Sequence, residues 1–382
     1  MQAAQATFAA RNGSAFVGFV GFVVKKGQQQ TSDRPHFIAC SHVRRILNCT
    51  ALSPMGGTFY AMKQAKDNQM PAIERKAQAQ RHRLDPRPGK VRYSWRWLGA
   101  TLAGGVLASL AVATGGVPAL IAVGAVGVAG AAYTLLHEPR RPRLERVTLR
   151  FPDLPLGLDG LRIGQISDMH LGMRYAAANS RWAVAHMARE QPDLLALTGD
   201  FVSYAHAIDE LPTILAGLPR PPLGTYAVLG NHDHWEGVSA IQHALEPLGI
   251  VFLVNTQRRL SFGGAPLVLA GVDDLWDGVP DLRATLAGAP PGAFTILLSH
   301  CPDMADEANE RGVHVQLSGH THGGHMRLPG LGSFCLPRHG WRYAAGHAHA
   351  GATQVYVSRG IGGMPLRLGC PPEATLITLR RG

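Results

Sequence analysis

The sequence is poor in charged residues, in cysteine and, over its larger part, in lysine. Charged residues make up 16% of the 382 residues and hydrophobic ones 46%, which excludes a coiled coil and a chain that is disordered throughout. The five cysteines are an odd number without a C-x-x-C pair. Neither a disulfide framework nor a zinc ribbon is therefore expected, and a reducing compartment fits best.

The net charge of +11 is unevenly distributed along the chain. Residues 1–146 hold 20 basic against 6 acidic residues, a balance of +14, whereas residues 147–382 hold 17 against 20, a balance of −3, and contain no lysine. Because nucleic-acid grooves need clustered lysine and arginine, no nucleic-acid partner is expected for the C-terminal part. The length allows a membrane segment and one large α/β domain.

Residues 98–136 contain no Asp, Glu, Lys, Arg or His. As one straight helix this run would be roughly 58 Å long, about twice the hydrocarbon thickness of a bilayer. Gly115-Gly116-Val117-Pro118 interrupts it with a turn signal, and basic residues flank both ends, which places both flanks in the cytoplasm. We predict a transmembrane helical hairpin over residues 97–137; a single span near 117–136 and a buried pair of soluble helices are the alternatives.

The first 96 residues predict a poorly ordered, basic N-terminal region. An apolar stretch at 16–24 is too short to span a bilayer, and no basic segment of the kind found in signal peptides precedes it. No function is assigned to this region.

Residues 147–382 alternate between short apolar runs and helical patterns, which predicts a layered α/β domain. The predicted strands are 147–151, 161–167, 194–198, 226–229, 250–254, 267–272, 294–299, 313–318, 354–358 and 374–379. The predicted helices are 176–190, 205–218, 237–248 and 301–311.

Five of the predicted strands end in side chains that bind metals. The clusters are Asp168-Met169-His170, Gly199-Asp200, Gly230-Asn231-His232-Asp233, Ser299-His300 and Gly319-His320-Thr321-His322. Strand ends of an α/β sheet converge at one edge, so these side chains are expected to meet in space.

Carboxylate, amide and imidazole groups suit Mn²⁺, Fe or Zn²⁺ better than a thiolate-preferring metal. Two carboxylates, one amide and four imidazoles are more ligands than one ion needs, whereas two ions that share a carboxylate use all of them. Pairs of ions about 3.5–4 Å apart stabilise the attacking and leaving oxygens of a displacement at phosphorus. The set therefore predicts two divalent cations, with Mn²⁺ preferred over Fe and Zn²⁺.

The ordered motifs DxH, GD, GNHD, H and GHxH resemble those of the calcineurin-like metallophosphoesterase superfamily, over about residues 160–380. Within it the chain is similar to the membrane-associated bacterial branch (YkuE/YaeI-like), because a basic segment follows the apolar run and Ser358-Arg359-Gly360-Ile361-Gly362 lies near the end. The resemblance implies the calcineurin-like fold, in which two mixed β-sheets form a sandwich flanked by helices; here the membrane hairpin would precede it.

The resemblance also implies roles for individual residues. Asp168, His170 and His322 would hold the first ion, and Asn231, His300 and His320 the second. Asp200 would bridge the two ions. His232 would face the substrate, stabilise the phosphoryl transition state and protonate the leaving oxygen, and Asp233 would orient the site.

One departure from the family pattern qualifies this assignment, and two further residues are candidates for the site. Many superfamily members continue the second motif as GDxxD, with an acid that can orient the catalytic histidine; Ser203 replaces that acid here, which puts the polarisation of His232 in doubt. Arg327 and Arg367 are candidate phosphate contacts, because arginine presents a two-pronged donor to phosphate.

The combined prediction is a membrane-bound phosphoesterase that attacks a phosphodiester or pyrophosphate bond with a hydroxide held between two metal ions. It would lie in a bacterial inner membrane, in contact with membrane lipids, with its catalytic domain in the cytoplasm. Its substrate would be lipid- or nucleotide-linked, and UDP-2,3-diacylglucosamine of lipid A synthesis is one candidate. The alternatives are a nuclease or cyclic-nucleotide phosphodiesterase, and a non-catalytic metal-binding membrane scaffold.

Overall fold

The structure, a computed structural model, describes residues 91–382. The prediction of a poorly ordered N-terminal region falls almost entirely on residues 1–90, which lie outside the described part. The C-terminal domain, predicted over 147–382, consists of two six-stranded sheets with helices.

The first sheet is parallel except at one pairing. Its strand from Glu373 to Arg381 is parallel to one neighbour and antiparallel to the other. The strands in spatial order are Arg143–Phe151, Glu373–Arg381, Arg162–Ile166, Leu194–Thr198, Thr225–Val228 and Ile250–Phe252.

The second sheet has a parallel centre and an antiparallel strand at each edge. Its strands in spatial order are Gly346–Ala350, Thr353–Val357, Val315–Ser318, Phe294–Leu298, Ala265–Gly271 and Thr256–Phe262. Three short strands, Val91–Tyr93, Arg327–Leu328 and Gly332–Ser333, together with Cys335–Pro337, form two small ladders beside it.

The two sheets pack face to face over one apolar core. Leu194 and Ala196 of the first sheet and Ile296 and Leu317 of the second belong to this cluster. The alternate residues Leu195 and Leu197 belong to a second cluster on the outer face of the first sheet. Because both faces of these strands are covered, their sequences are continuously apolar rather than alternating.

Helices cover the outer faces of the sandwich. Ala176–Glu190, Leu211–Leu215 and Val238–Leu245 pack on the first sheet, and Leu282–Thr285 and Ala305–Glu310 pack on the second. The expected pair of mixed sheets flanked by helices is therefore confirmed.

The apolar run forms one long helical segment, Trp95–Ala132, followed by single irregular turns at Tyr133–His137 and Glu138–Arg140. Among the described residues, Trp95–Arg140 is the one helix long and apolar enough to cross a membrane, and none of its most apolar part is buried. Gly116 breaks the helix with φ 62° and ψ −147°, two residues before Pro118. This is backbone that only glycine adopts readily.

Both ends of this segment contact the same small part of the C-terminal domain. At its start the backbone N–H of Ser94 donates to the carbonyl oxygen of Phe334 (3.0 Å). At its end the carbonyl oxygen of Thr134 accepts from the backbone N–H of Arg367 (3.0 Å). The backbone of 326–334 and that of 366–370 are themselves hydrogen-bonded side by side. We call these two stretches the platform.

The separation of the two ends shows that the segment is not straight. Four hydrogen-bonded steps of about 5 Å each separate Ser94 from Thr134 across the platform, whereas a straight helix of 38 residues would extend about 57 Å. The segment therefore reverses direction between its ends, and Gly116 is the residue where its helical backbone is broken.

Candidate metal centre

The five polar clusters lie at the carboxyl ends of strands that come from both sheets. Asp168 and Asp200 follow two neighbouring strands of the first sheet, and His300 and His320 follow two neighbouring strands of the second. The seven predicted ligand side chains meet at this edge of the sandwich, and none of their residues is more than 8% exposed. They are Asp168, His170, Asp200, Asn231, His300, His320 and His322.

Two groups of ligand atoms adjoin each other in this pocket. Asp168, His170 and His322 form one group and Asp200, His300 and His320 the other, each with its ligand atoms within 4.8 Å of one another. In the first group Nε2 of His322 lies 3.1 Å from Nε2 of His170 and 3.5 Å from Oδ1 of Asp168. In the second, Nδ1 of His320 lies 3.2 Å from Nε2 of His300.

Asp200 lies between the two groups. Its Oδ2 atom is 3.4 Å from Nε2 of His170 in the first group and 3.2 Å from Nε2 of His300 in the second. Its other oxygen, Oδ1, accepts the backbone N–H of His232 (2.9 Å). A single carboxylate oxygen therefore faces both groups, as a bridging ligand must.

The outward nitrogens of three rings are held by oxygen atoms of the protein. Nδ1 of His300 donates to the carbonyl oxygen of Thr198 (2.7 Å), and Nε2 of His320 donates to that of Arg338 (2.6 Å). Because a carbonyl oxygen only accepts, the inward nitrogen of each ring is the one that carries the lone pair when the ring is neutral. Nδ1 of His170 lies 2.9 Å from Oγ of Ser203.

Asn231 provides a direct test of whether the residues fit a metal ion. Its Oδ1 atom is buried and has no hydrogen-bond partner within the described part of the chain. An unsatisfied buried oxygen is costly, and a cation is a natural partner for it beside carboxylates and imidazoles. The donor set therefore fits divalent cations, and no thiol belongs to it: Cys301 donates instead to Asp274, outside the two groups.

Burial and neighbouring charges shift the pKa values of the pocket residues in different directions. Burial acts to lower the pKa of His300, but the neighbouring carboxylates, Asp200 foremost, outweigh it and raise the pKa well above its usual value. Burial raises the pKa of Asp168 to about 6 although His300 opposes the shift. Burial lowers the pKa of His320 to about 3, so that ring is neutral near pH 7.

The motif residues occupy strained backbone. Asp168, His170, Asp200, His320 and His322 all have positive φ, between 49° and 73°. For residues other than glycine this conformation is costly and is found where surrounding structure enforces it. Asn and Asp tolerate it better than most residues, and His is also enriched there.

Two glycines allow the motif loops to approach each other. A Cβ atom on Gly230 would lie 2.2 Å from Oδ1 of Asp200, and one on Gly319 would lie 2.1 Å from Oδ2 of Asp168. Any side chain at either position would therefore displace a carboxylate of the pocket.

His232 lies beside the pocket and is half-buried, in the short helix Asn231–Glu236. Its ring contacts that of His170 edge-on, with 4.7 Å between centroids, and its Nδ1 atom is buried without a hydrogen-bond partner in the described residues. Burial lowers the pKa of His232 despite the nearby Asp200 carboxylate. The ring is therefore neutral near pH 7 and can donate a hydrogen bond.

Asp233 makes its contacts with backbone groups. Its carboxylate accepts the N–H groups of Asp200 (2.8 Å), Phe201 (2.8 Å) and Gly230 (2.9 Å), so it holds the GD loop against the GNHD loop. Burial raises its pKa to about 7. These contacts are those of a positioning residue rather than one that touches a substrate.

Sequence reasoning missed two partners of the ligand histidines. Ser203, expected to affect His232, contacts His170 instead. Arg367, considered as a phosphate contact, is 1% exposed; its guanidinium lies 3.2 Å from Nδ1 of His322 and donates to the carbonyl oxygens of Arg359 (2.8 Å) and Gly362 (2.5 Å). The expectation for Arg367 was therefore wrong, because a side chain near the end of the sequence folds underneath the metal pocket.

Comparison with known proteins agrees with this site. Residues 161–324 match the family described as calcineurin-like phosphoesterase. The chain is 34% identical over 269 residues to "Uncharacterized metallophosphoesterase YkuE" of Bacillus subtilis (68% of this chain, 93% of that protein). It is 30% identical over 221 residues to "Phosphodiesterase YaeI" of Escherichia coli (56% and 80%). It is 31% identical over 264 residues to "Transmembrane protein with metallophosphoesterase domain" of Bos taurus (64% and 59%).

A sandwich of two mixed sheets with two buried groups of metal-binding side chains at one edge is the arrangement of a metal-dependent phosphoesterase. The chain belongs to the calcineurin-like metallophosphoesterase family. The predicted family, fold and enzyme class are thereby confirmed, and the relatives agree with the predicted branch.

Proposed function

We propose that this protein hydrolyses phosphodiester or pyrophosphate bonds at a pair of divalent cations. Asp168, His170 and His322 would hold one ion, and Asn231, His300 and His320 the other. The observation that carries the proposal is the position of Asp200 Oδ2, between Nε2 of His170 and Nε2 of His300. Bound at these groups, two ions would supply Lewis acidity at the phosphoryl oxygens and an acidified water near neutral pH.

The protein's own residues would bind the substrate, orient it and donate a proton to it. Among the described motif residues, His232 is our candidate for contact with the substrate, because its ring adjoins that of His170 and its Nδ1 atom has no hydrogen-bond partner there. We assign to its neutral ring a hydrogen bond to a phosphoryl or leaving oxygen, where negative charge develops. Asp233 would keep this helix in register with Asp200 through its three backbone contacts.

The ligand set favours Mn²⁺, with Fe and Zn²⁺ as the other candidates. Four imidazoles, one amide and two carboxylates, divided between the two groups, are ligands of intermediate hardness. Metal content of the purified protein, followed by removal and readdition of single metals, tests this choice.

We propose that the helical segment Trp95–Ala132 crosses the membrane as a hairpin. Its exposed apolar surface and its reversal at Gly116 support this arrangement, and the basic flanks support a catalytic domain in the cytoplasm of a bacterial cell. The domain division would then be an N-terminal region to residue 96, a hairpin over 97–137 and a catalytic domain over 147–382. Reporter fusions after Gly116 and after Gly382 test the orientation. Because both termini of a hairpin lie on the same side of the membrane, the fusion at the turn should report the opposite side from the fusion after Gly382.

We propose an amphiphilic substrate, with UDP-2,3-diacylglucosamine as the concrete candidate. An open groove of about 400 Å³ lies at the end of the apolar helix and is apolar apart from one arginine. Such a groove beside a membrane suits acyl chains. Its lining residues are Val128, Ala131, Ala132, Leu135, Leu136, Arg174 and Pro365.

The substrate test compares this glycolipid with UDP-N-acetylglucosamine, which has the same pyrophosphate and no acyl chains. Full-length protein loaded with Mn²⁺ should release UMP and a lipid monophosphate from the first and react slowly with the second. If no lipid monophosphate forms, the glycolipid is removed as a substrate; cleavage of a cyclic nucleotide or a polynucleotide instead would favour the nuclease or cyclic-nucleotide alternative.

His232→Ala separates catalysis from scaffolding. We expect a loss of turnover of 10²- to 10⁴-fold with unchanged metal content, as is typical for removal of a general acid–base group. His243→Ala is the matched control, since His243 is exposed on the helix Val238–Leu245. Unchanged turnover in His232→Ala would contradict the assigned role, whereas absence of metal-dependent turnover in the unaltered protein would support the scaffold alternative.

A further inference from the structure

Two tryptophans stand beside the metal centre. Trp235 is three residues after His232 on the same short helix, and the two rings lie 4.4 Å apart. Trp276, from the loop that follows the strand Ala265–Gly271, meets Trp235 edge-to-face at 5.9 Å. It also meets the ring of His320 at 5.6 Å, with an interplanar angle of 88°. We call Trp235 and Trp276 together the tryptophan wall.

The wall extends from the residue that we place at the substrate to a ligand of the second ion. One of its ends touches His232 and the other touches His320. Trp235 is 37% exposed, and Trp276 is half-buried. A group attached to a phosphate in the metal pocket therefore has two indole surfaces within its immediate reach.

The wall is held in place by a network of carboxylates. Nε1 of Trp235 donates to Oδ2 of Asp277 (2.6 Å). Oδ2 of Asp274, which is fully buried, accepts the backbone N–H groups of Trp276 (2.8 Å) and Asp277 (2.7 Å). Burying a carboxylate for this purpose is costly, and the result is a loop whose conformation is fixed before any ligand binds.

The neighbouring loop residues extend this network. Oδ1 of Asp273 contacts Nε2 of His234 (2.8 Å) and accepts the backbone N–H of Asp274 (2.9 Å), and its Oδ2 accepts that of Val279 (2.8 Å). The acidic residues of this loop are thus engaged in shaping it. The two indoles are the groups that the loop and the short helix present beside the pocket.

We propose that the tryptophan wall binds a nucleobase attached to the scissile phosphate. A flat ring gains stacking energy from a single aromatic face, whereas an acyl chain gains from enclosure on all sides. The wall lies beside two carboxylates, Asp277 and Glu236, which disfavour a second anionic group there. The apolar groove of the protein is lined by other residues, at the end of the membrane helix. This inference rests on the proposed phosphoesterase function and specifies its substrates as nucleotide-linked.

The kinetic test uses two diesters with the same leaving group. Thymidine 5′-(p-nitrophenyl phosphate) carries a nucleoside, and methyl p-nitrophenyl phosphate does not. In both, water adds to phosphorus and the bond to the nitrophenolate oxygen breaks. We expect Trp235→Leu and Trp276→Leu each to lower the ratio of kcat/KM for the nucleoside ester to that for the methyl ester by about tenfold, the size typical of one lost stacking contact.

Two further variants serve as controls. Trp235→Phe retains an aromatic face and should restore most of the ratio. Trp182→Leu removes an indole that stacks on His186 in the helix Ala176–Glu190, away from the wall, and should leave the ratio unchanged. An equal loss with both diesters, or no change in the ratio, would overturn the proposal.

A binding measurement is independent of turnover. Thymidine 5′-monophosphate should quench the tryptophan fluorescence of the Mn²⁺-loaded full-length protein, ribose 5-phosphate should not, and Trp235→Leu should weaken the nucleotide affinity about tenfold. Quenching without hydrolysis of either diester would sink the phosphoesterase proposal and leave the wall as a nucleotide site. Hydrolysis of both diesters without base-dependent quenching would contradict nucleobase binding at the tryptophan wall and leave the phosphoesterase proposal intact.

Discussion

Nδ1 of His322 lies 3.2 Å from the guanidinium of Arg367. The other ring nitrogen, Nε2, faces His170 and Asp168, the other members of the first ligand group. Arg367 also donates its backbone N–H to the carbonyl oxygen of Thr134 at the end of the apolar helix. Arg367 therefore contacts both the apolar helical segment and a proposed metal ligand.

Arg367→Met should destabilise the protein and disturb the first metal group. The substitution leaves buried carbonyl oxygens of Arg359 and Gly362 without their donor, at a cost of about 1–3 kcal/mol for each unsatisfied group. Thermal unfolding in detergent and the metal-to-protein ratio measure the two effects. Arg174→Met is the control, since Arg174 is exposed; equal behaviour of the two variants would contradict the role given to Arg367.

Ser203→Ala should weaken metal binding without unfolding the protein. The Oγ atom of Ser203 is the partner of Nδ1 of His170 at 2.9 Å, and loss of such an outer partner typically lowers metal affinity 10- to 100-fold. Isothermal titration with Mn²⁺ measures the change. Ser180→Ala is a matched control, because Ser180 is buried and its Oγ atom has no hydrogen-bond partner among the described residues. Full affinity in Ser203→Ala would refute this positioning.

Metal affinity should fall as the pH falls. Burial raises the pKa of Asp168 to about 6, so below about pH 6 this carboxyl is protonated and must lose its proton before it can bind an ion. The carboxylates around His300 raise its pKa well above the usual value, so this ring also releases a proton when it becomes a ligand. Titrations at pH 5.5, 6.5 and 7.5, in buffers of different ionisation enthalpy, should show rising affinity and net proton release. An affinity independent of pH would contradict both shifts.

Gly116→Ala should disturb the reversal of the apolar helix. At φ 62° and ψ −147° a Cβ atom is strained whatever space surrounds it, at a cost of about 1–3 kcal/mol. Gly124→Ala is the matched control in the same helix, where an added Cβ meets nothing within 4 Å and alanine favours helix. We expect a lower thermal midpoint in detergent for the first variant only; equal midpoints would show that Gly116 is not a constrained position.

The predicted strands were found wherever a run of apolar residues was buried on both faces. Leu194–Thr198 and Phe294–Leu298 lie where the sequence predicts them, within one residue at their ends. The edge strand Thr256–Phe262 was missed because polar residues such as Arg258 and Arg259 interrupt its pattern. The edge strand Gly346–Ala350 was also absent from the predicted strands, and its histidines, His347 and His349, are exposed.

The motifs predicted which side chains would meet, but not what holds them. Asp200 and His300 are 100 residues apart in the sequence, and the rule that strand ends converge was enough to predict that they meet. The partners Ser203 and Arg367 depend on which nitrogen of each ring faces inward, and that is set by the packed loops. The helix Asn231–Glu236 was also missed, because six polar and aromatic residues carry no helical periodicity.

The left-handed backbone at Asp168, His170, Asp200, His320 and His322 limits what mutation can explore there. A β-branched replacement would lose a ligand and at the same time clash with its own main chain. In a saturation library, glycine and asparagine should therefore survive in folded, inactive clones at these codons, while valine and isoleucine should be absent from the folded clones. Substitutions in the pocket are thus limited both by the loss of metal ligands and by the backbone conformation that the positions require.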